Sequence, residues 1–166
     1  ADTWDLSPLF KDDSQWEAAL NELQEKVPHF ETFRGKLKTS PEAIRDCIVF
    51  EMEFNELAER VGSYAFQKLS EDVANSGHQA KISRYTHFAM HAEEAASFIA
   101  PEIQSIPKKK MAEFLEAPVL EKYRLLLERL LRYRPHILSA KEERLLAMQG
   151  EVAGSAGRIF GQLNDA

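Results

Sequence analysis

The stretch ISRYTHFAMHAEEAASFIAPEIQSIP, residues Ile82 to Pro107, decides how this chain folds. Its apolar residues Ile82, Tyr85, Ala89, Ala92, Ala96, Ile99 and Ile103 recur at steps of three and four, which describes one face of a helix rather than a strand. Pro101 offers no N–H to the carbonyl of Ser97, so the helix is expected to kink or stop near Ala100. Inside the stretch lie His87, His91 and Glu94, spaced as zinc ligands on a helix would be. In zinc peptidases that pair stands as H-E-x-x-H, and the glutamate beside the first histidine activates the metal-bound water. Here that position is Phe88, so the base is missing. At about 100° per residue, His87, His91 and Glu94 also fall roughly opposite the Ile82–Ile99–Ile103 stripe, on the wet side of the helix. We read them as a solvated face and assign no metal ligand. The alternative left by the spacing is a His-His-carboxylate zinc site of His87, His91 and Glu94, which would show as thermal stabilisation by zinc, lost in His91→Ala.

Moving outward, the same periodicity fills the rest of the chain. Ser14-Gln15-Trp16-Glu17 reads as a capping box. Trp16, Leu20, Leu23, Val27, Phe30 and Leu37 then keep one phase across Pro28, predicting a single helix over about 14–37 with a kink at the proline. Trp4 to Phe10, before it, reads as an extended, apolar lead-in. Ser40-Pro41 marks a helix start. Ile44, Cys47, Ile48, Phe54, Ala58, Val61, Ala65, Leu69 and Val73 carry that helix to Asn75-Ser76-Gly77, read as a stop signal, with Gly62 a weak point inside it. Past Pro107, Lys108-Lys109-Lys110 would sit poorly at a helix N-terminus and reads as a solvated reversal. Met111, Phe114 and Leu115 form a short amphipathic piece. Val119, Leu120, Tyr123, Leu126, Leu127, Leu130 and Leu131 form another helix face, closed by Arg134-Pro135. Ser139 to Glu142 reads as a second capping box. Gly150, Gly154, Gly157 and Gly161 could make one stripe of a last helix, open to close approach by another backbone, or could break that segment into turns. The predicted architecture is all-α: one helical domain over residues 1–166, a multi-helix antiparallel bundle with long, partly kinked helices.

Composition narrows the function classes. Acidic residues outnumber basic ones, 27 to 21, for a net charge of −6, which disfavours nucleic acid as a partner because phosphate binding needs a basic face. No apolar run approaches the roughly 20 residues that span a bilayer, and Ala1 to Asp5 resembles no secretion leader. Cys47 is the one cysteine, so no internal disulfide forms and a reducing, cytoplasmic setting is expected. It shares the apolar phase of Ile44 and Ile48, which reads as a buried thiol rather than a nucleophile. A di-iron bundle would need two inward Glu-x-x-His units; the residues three before the five histidines are Lys26, Asn75, Arg84, Phe88 and Tyr133, so that class is excluded. Arg124, Arg129, Arg132 and Arg134 beside Tyr123 and Tyr133 could meet an anion but read as ion-paired rim residues. Catalytic, cofactor-binding and metal residues are each read as none.

Four stretches carry a resemblance: Trp4-Asp5-Leu6-Ser7, Phe33-Arg34-Gly35-Lys36-Leu37, Ser97-Phe98-Ile99-Ala100-Pro101-Glu102-Ile103, and His136 to Glu143. In that order they resemble the N-terminal part of oligoendopeptidase F, a zinc oligopeptidase related to thimet oligopeptidase. The resemblance implies a helical N-terminal domain of a cytoplasmic metallopeptidase acting on short peptides. It would form one wall of a substrate channel, with the catalytic domain of its own chain as partner. Zinc, held in that family by H-E-x-x-H and a downstream glutamate, would belong to the catalytic domain. Alone, the 166 residues are expected neither to hydrolyse peptides nor to bind stoichiometric zinc, and the ending at Asn164-Asp165-Ala166 reads as that of a fragment. A different reading of the same helices is a free-standing adaptor that docks a partner helix.

Overall fold

The computed structural model describes residues 5–133; Trp4, the second capping box, the His136–Glu143 stretch and the glycine stripe lie outside them. The chain divides into two compact units, residues 1–127 and 128–166. Six α-helices appear among the described residues, and no strand does: α1 (Asp13–Lys26), α2 (Pro41–Glu71), α3 (Ser76–Ala96), α4 (Ile99–Gln104), α5 (Lys108–Leu115) and α6 (Arg124–Arg132). Tight 3-10 turns at Val27–Thr32 and Pro118–Tyr123 precede the loop to α2 and the start of α6. The all-α prediction holds.

The 31-residue α2 is the spine, about 46 Å long at 1.5 Å per residue. Ser40 caps it as the sequence indicates, its Oγ accepting from Ala43 N at 3.2 Å. Ile44, Cys47, Ile48, Phe54, Val61 and Ala65 are buried, while Val73 lies beyond the helix end and is exposed. Both neighbours run antiparallel to it. Toward α1, Trp16 Nε1 donates to the Val61 carbonyl at 2.9 Å and Tyr64 Oη donates to Asp13 at 3.0 Å, while Phe30 stacks edge-on against Phe54 further along. Toward α3, Tyr85 faces Gly62 and Phe88 faces Phe54. A Cβ on Gly62 would come 2.6 Å from Tyr85 Oη. This glycine lets two helices approach, which repays its helix cost.

Several boundaries differ from the sequence reading. The cap of α1 is Asp12, which accepts from Gln15 N at 3.0 Å, with Ser14 already inside the helix. There is no kinked helix over 14–37: α1 gives way after Lys26 to the 3-10 turn carrying Pro28, then to turns over 33–39. A proline at 28 has no N–H for the Gln24 carbonyl and its ring crowds that group, so the chain tightens instead of bending. Phe30 and Leu37 stay buried all the same. Asn75-Ser76-Gly77 starts a helix rather than stopping one, because Asn75 Oδ1 accepts from Gly77 N and His78 N. The buried line of α3 runs through Lys81, Phe88 and Ala92, rotated from the predicted stripe. Lys108-Lys109-Lys110 is helical, the first turn of α5, with Lys110 Nζ above the Phe114 ring. The expected helix from Val119 opens as a 3-10 turn, and Leu126 faces out while Leu120 and Leu127 are buried. The lead-in docks through Leu6 and Phe10 but as a turn, closed by Leu9 N to the Leu6 carbonyl.

Candidate functional site

Two stretches 67 residues apart in sequence meet in one corner. Pro101 breaks the long helix of Ile82–Pro107, at Ser97-Phe98 rather than at Ala100. It occupies the first turn of α4, where its missing N–H costs nothing because such groups lack helical partners anyway. The same turn carries Glu102 toward the Phe33–Thr39 loop. There Glu102 Oε2 accepts from Gly35 N at 2.8 Å and Oε1 accepts from Leu37 N at 2.9 Å. Gly35 has φ +78°, a left-handed conformation that side chains resist, with open space around it. Successive N–H groups made to converge by such a turn form an anion-binding concavity, and here the chain's own carboxylate fills it.

The corner is braced on both sides. The Arg34 guanidinium lies 4.3 Å from the Phe98 ring centre, its Nε donating to Glu31 at 2.7 Å. Phe33 packs against His29 and Phe50, and Leu37 is fully buried. Both Glu102 oxygens are committed to backbone donors, so this carboxylate holds a loop in place. It is built for positioning.

A second polar centre ties α1 to α3. Lys81 is 7% exposed, with Nζ paired to Asp13 and set 5.1 Å and 5.3 Å from the Trp16 and Tyr64 ring centres. One turn along, Arg84 grips the Glu17 carboxylate with both terminal nitrogens. The Lys81 hydrogen bond holds the Asp13 carboxyl below its ordinary range, and the Arg84 bond does the same for Glu17. Burial and the bond to Asp13 push Tyr64 up to about 12. Lys81 went unassigned in the sequence although it lies in phase with Tyr85, Phe88 and Ala92. That phase was the available signal, as was the matching of Asp13 and Glu17 (i, i+4) to Lys81 and Arg84 (i, i+3).

The sequence candidates divide as follows. His87 and His91 are exposed on α3, as helical phase indicates, with Nε2 atoms 3.3 Å apart. The Phe88 side chain, where a catalytic zinc site would need its glutamate, points into the core at 3% exposure. Among the described residues no three His, Cys, Asp or Glu groups are disposed to hold a metal ion. A catalytic zinc of the H-E-x-x-H kind therefore does not fit the residues described. Cys47 is fully buried, and burial first, then Glu51 and Glu102, push its thiol to about 12, the opposite of an activated nucleophile. Of the arginines, Arg124 donates to the Leu115 carbonyl at 2.7 Å and lies 3.5 Å from Glu116, while Arg129 and Arg132 are exposed and Arg134 falls outside the described residues. A cleft of about 510 Å³ opens between α2 and the Pro118–Tyr123 turn, lined by Val49, Met52, Glu53, Glu56, Glu59 and Tyr123 among others.

Among the described residues the fold is all-helical, and its best-defined polar groups hold backbone and neighbouring helices in place. The oligopeptidase F family profile matches residues 102–166. Oligopeptidase PepF of Bacillus subtilis is 32% identical over 166 residues, covering 99% of this chain and 25% of that protein. Group B oligopeptidase PepB of Streptococcus agalactiae is 31% identical, covering 98% of this chain and 27% of that protein. The crystal structure of oligoendopeptidase-F from Enterococcus faecium superposes with a TM-score of 0.72 at 28% identity, over 90% of this chain and 30% of that one. The chain belongs to the oligopeptidase F family, as its N-terminal part. It spans about a quarter of the length of the curated relatives it matches.

Proposed function

We propose that these residues form the N-terminal part of a zinc metallo-oligoendopeptidase that cleaves short peptides, and that they shape and gate the route by which peptides reach its catalytic domain. The observation that carries this reading is the end-to-end match to the first quarter or so of peptidases several times longer. The chemistry fits a wall. The most specific geometry, Glu102 on the Gly35 and Leu37 amides, spends its polar groups on holding backbone. Zinc and its H-E-x-x-H ligands would come from the catalytic domain of the same cytoplasmic parent chain. That domain would be this one's principal partner, and exposed Met52, Leu125 and Leu126 supply apolar surface for such a contact.

The test has two parts. The purified 166-residue chain, given an internally quenched peptide, is expected to show no turnover; chelator-sensitive hydrolysis would overturn the reading. The parent enzyme lacking residues 1–166, given peptides of increasing length, is expected to cleave longer ones than the intact enzyme accepts. An unchanged length limit would remove the gating role.

A further inference from the structure

His87 and His91, set aside as catalytic ligands, have a geometry of their own. They stand one turn apart on the open face of α3, and their ring centres are 4.5 Å apart with planes inclined at 68°. Their Nε2 atoms are 3.3 Å apart. Two imidazole nitrogens bound to one tetrahedral zinc at about 2.0–2.1 Å must themselves lie about 3.3–3.4 Å apart. The helix thus holds two nitrogen donors at the edge length of a tetrahedral coordination sphere before any ion arrives.

We propose that His87 and His91 form a two-point chelating site for one borderline divalent cation of the Zn²⁺ or Cu²⁺ class, with water completing the coordination sphere. The expectation of no stoichiometric zinc rested on the resemblance that places zinc in another domain, and the reading of His87 and His91 as no metal ligands on a missing base and a wet helix face. Both facts rule out a catalytic site, and neither prevents chelation, which needs two lone pairs and access from solvent. In the metal-free contact one Nε2 carries the hydrogen shared with the other, whereas chelation needs both lone pairs free. That hydrogen moves to Nδ1 of its own ring as the ion binds, with no change of oxidation state. Imidazole donors select Zn²⁺, Cu²⁺ and Ni²⁺ over Mg²⁺ and Ca²⁺, which take oxygen ligands. Because the ligands sit four residues apart on one helix, the bound ion staples a turn of α3.

The experiment is calorimetric titration of the 166-residue chain with zinc chloride in a non-coordinating buffer, alongside thermal unfolding with and without the ion. One zinc per chain is expected, with a raised unfolding midpoint and no response to Mg²⁺. His87→Ala and His91→Ala should each weaken binding by roughly a hundred-fold, the advantage of two linked contacts over one, and abolish the thermal shift. His29→Ala and His78→Ala should leave both unchanged. Since His87 and His91 are exposed, circular dichroism of their variants should match the parent chain. Absence of saturable zinc binding, a loss below ten-fold in the single variants, or binding that survives the double variant would each overturn the proposal.

Discussion

Glu102→Gln tests whether the corner between α4 and the Phe33–Thr39 loop is held as the geometry indicates. The substitution keeps size and shape but replaces one acceptor oxygen with an amide donor. Whichever way the new amide turns, one of the two backbone N–H groups, Gly35 at 2.8 Å or Leu37 at 2.9 Å, faces a donor instead of an oxygen. Hydrogen bonds to charged groups contribute about 1.5–3 kcal/mol each. The Gly35 amide lies at an exposed residue and can be rehydrated, so the loss should sit toward the low end, near 2 kcal/mol. That corresponds to a fall of roughly 4–8 °C in the unfolding midpoint for a chain of this size. Gly35→Ala attacks the same loop from the other side. Open space surrounds the position, so its cost, about 1 kcal/mol, is the strain of φ +78° alone. Because both changes loosen one contact, the double variant should cost less than their sum. Urea unfolding followed by circular dichroism measures all three. A Glu102→Gln change below about 0.5 kcal/mol, or strict additivity with Gly35→Ala, would refute the coupling.

Three further outcomes follow from packing and charge. Gly62→Ala should destabilise by pressing a methyl into the Tyr85 ring, yet stabilise by up to about 1 kcal/mol once Tyr85→Ala has removed that ring, because alanine is the better helix former; the same sign in both backgrounds would be incompatible with a steric cause. Asp13 and Glu17 have carboxyls held below their ordinary range, so their contribution is present above the unfolded carboxylate pKa of about 4 and lost as pH falls through the folded values. Asp13→Asn with Glu17→Gln should therefore flatten the acid limb of a stability–pH curve, which pH-dependent unfolding measures. Glu51 carries the opposite sign, since burial raises its carboxyl. Its contribution is lost as pH rises through the raised value, so Glu51→Gln should stabilise the chain at pH 7, and a loss there would show that Glu51 has a charged partner.

Local signals read correctly where one residue had one job. Ser40-Pro41 can start a helix and do little else, and α2 begins there. Pro101 had to break a helix, and does, but the break moved to Ser97-Phe98 because a proline within a first turn needs no hydrogen-bond partner. Asn75-Ser76-Gly77 misled because the residues that terminate a helix also cap the next one, and the side-chain hydrogen bond that decides between them is a tertiary fact. Lys81 misled for a related reason. Its charge marked it as surface, while Trp16 and Tyr64, from two other helices, make a place for it inside.

Glu102 lay furthest beyond local reading. Its stretch and that of Gly35 were recognised separately, as strings met in order along a chain, and nothing in either string shows that they touch. The structure makes them one unit. Gly35 supplies the turn that aims backbone N–H groups outward, and Glu102 supplies the two oxygens that receive them. The converse holds for His87 and His91, whose spacing resembled zinc chemistry at once but whose helix face settles what kind of site they can make. Spacing along a helix fixes which atoms can meet, and burial decides whether their meeting can support catalysis. That pair lies on open surface beside a core phenylalanine, so the site proposed for it has solvent access and no adjacent glutamate.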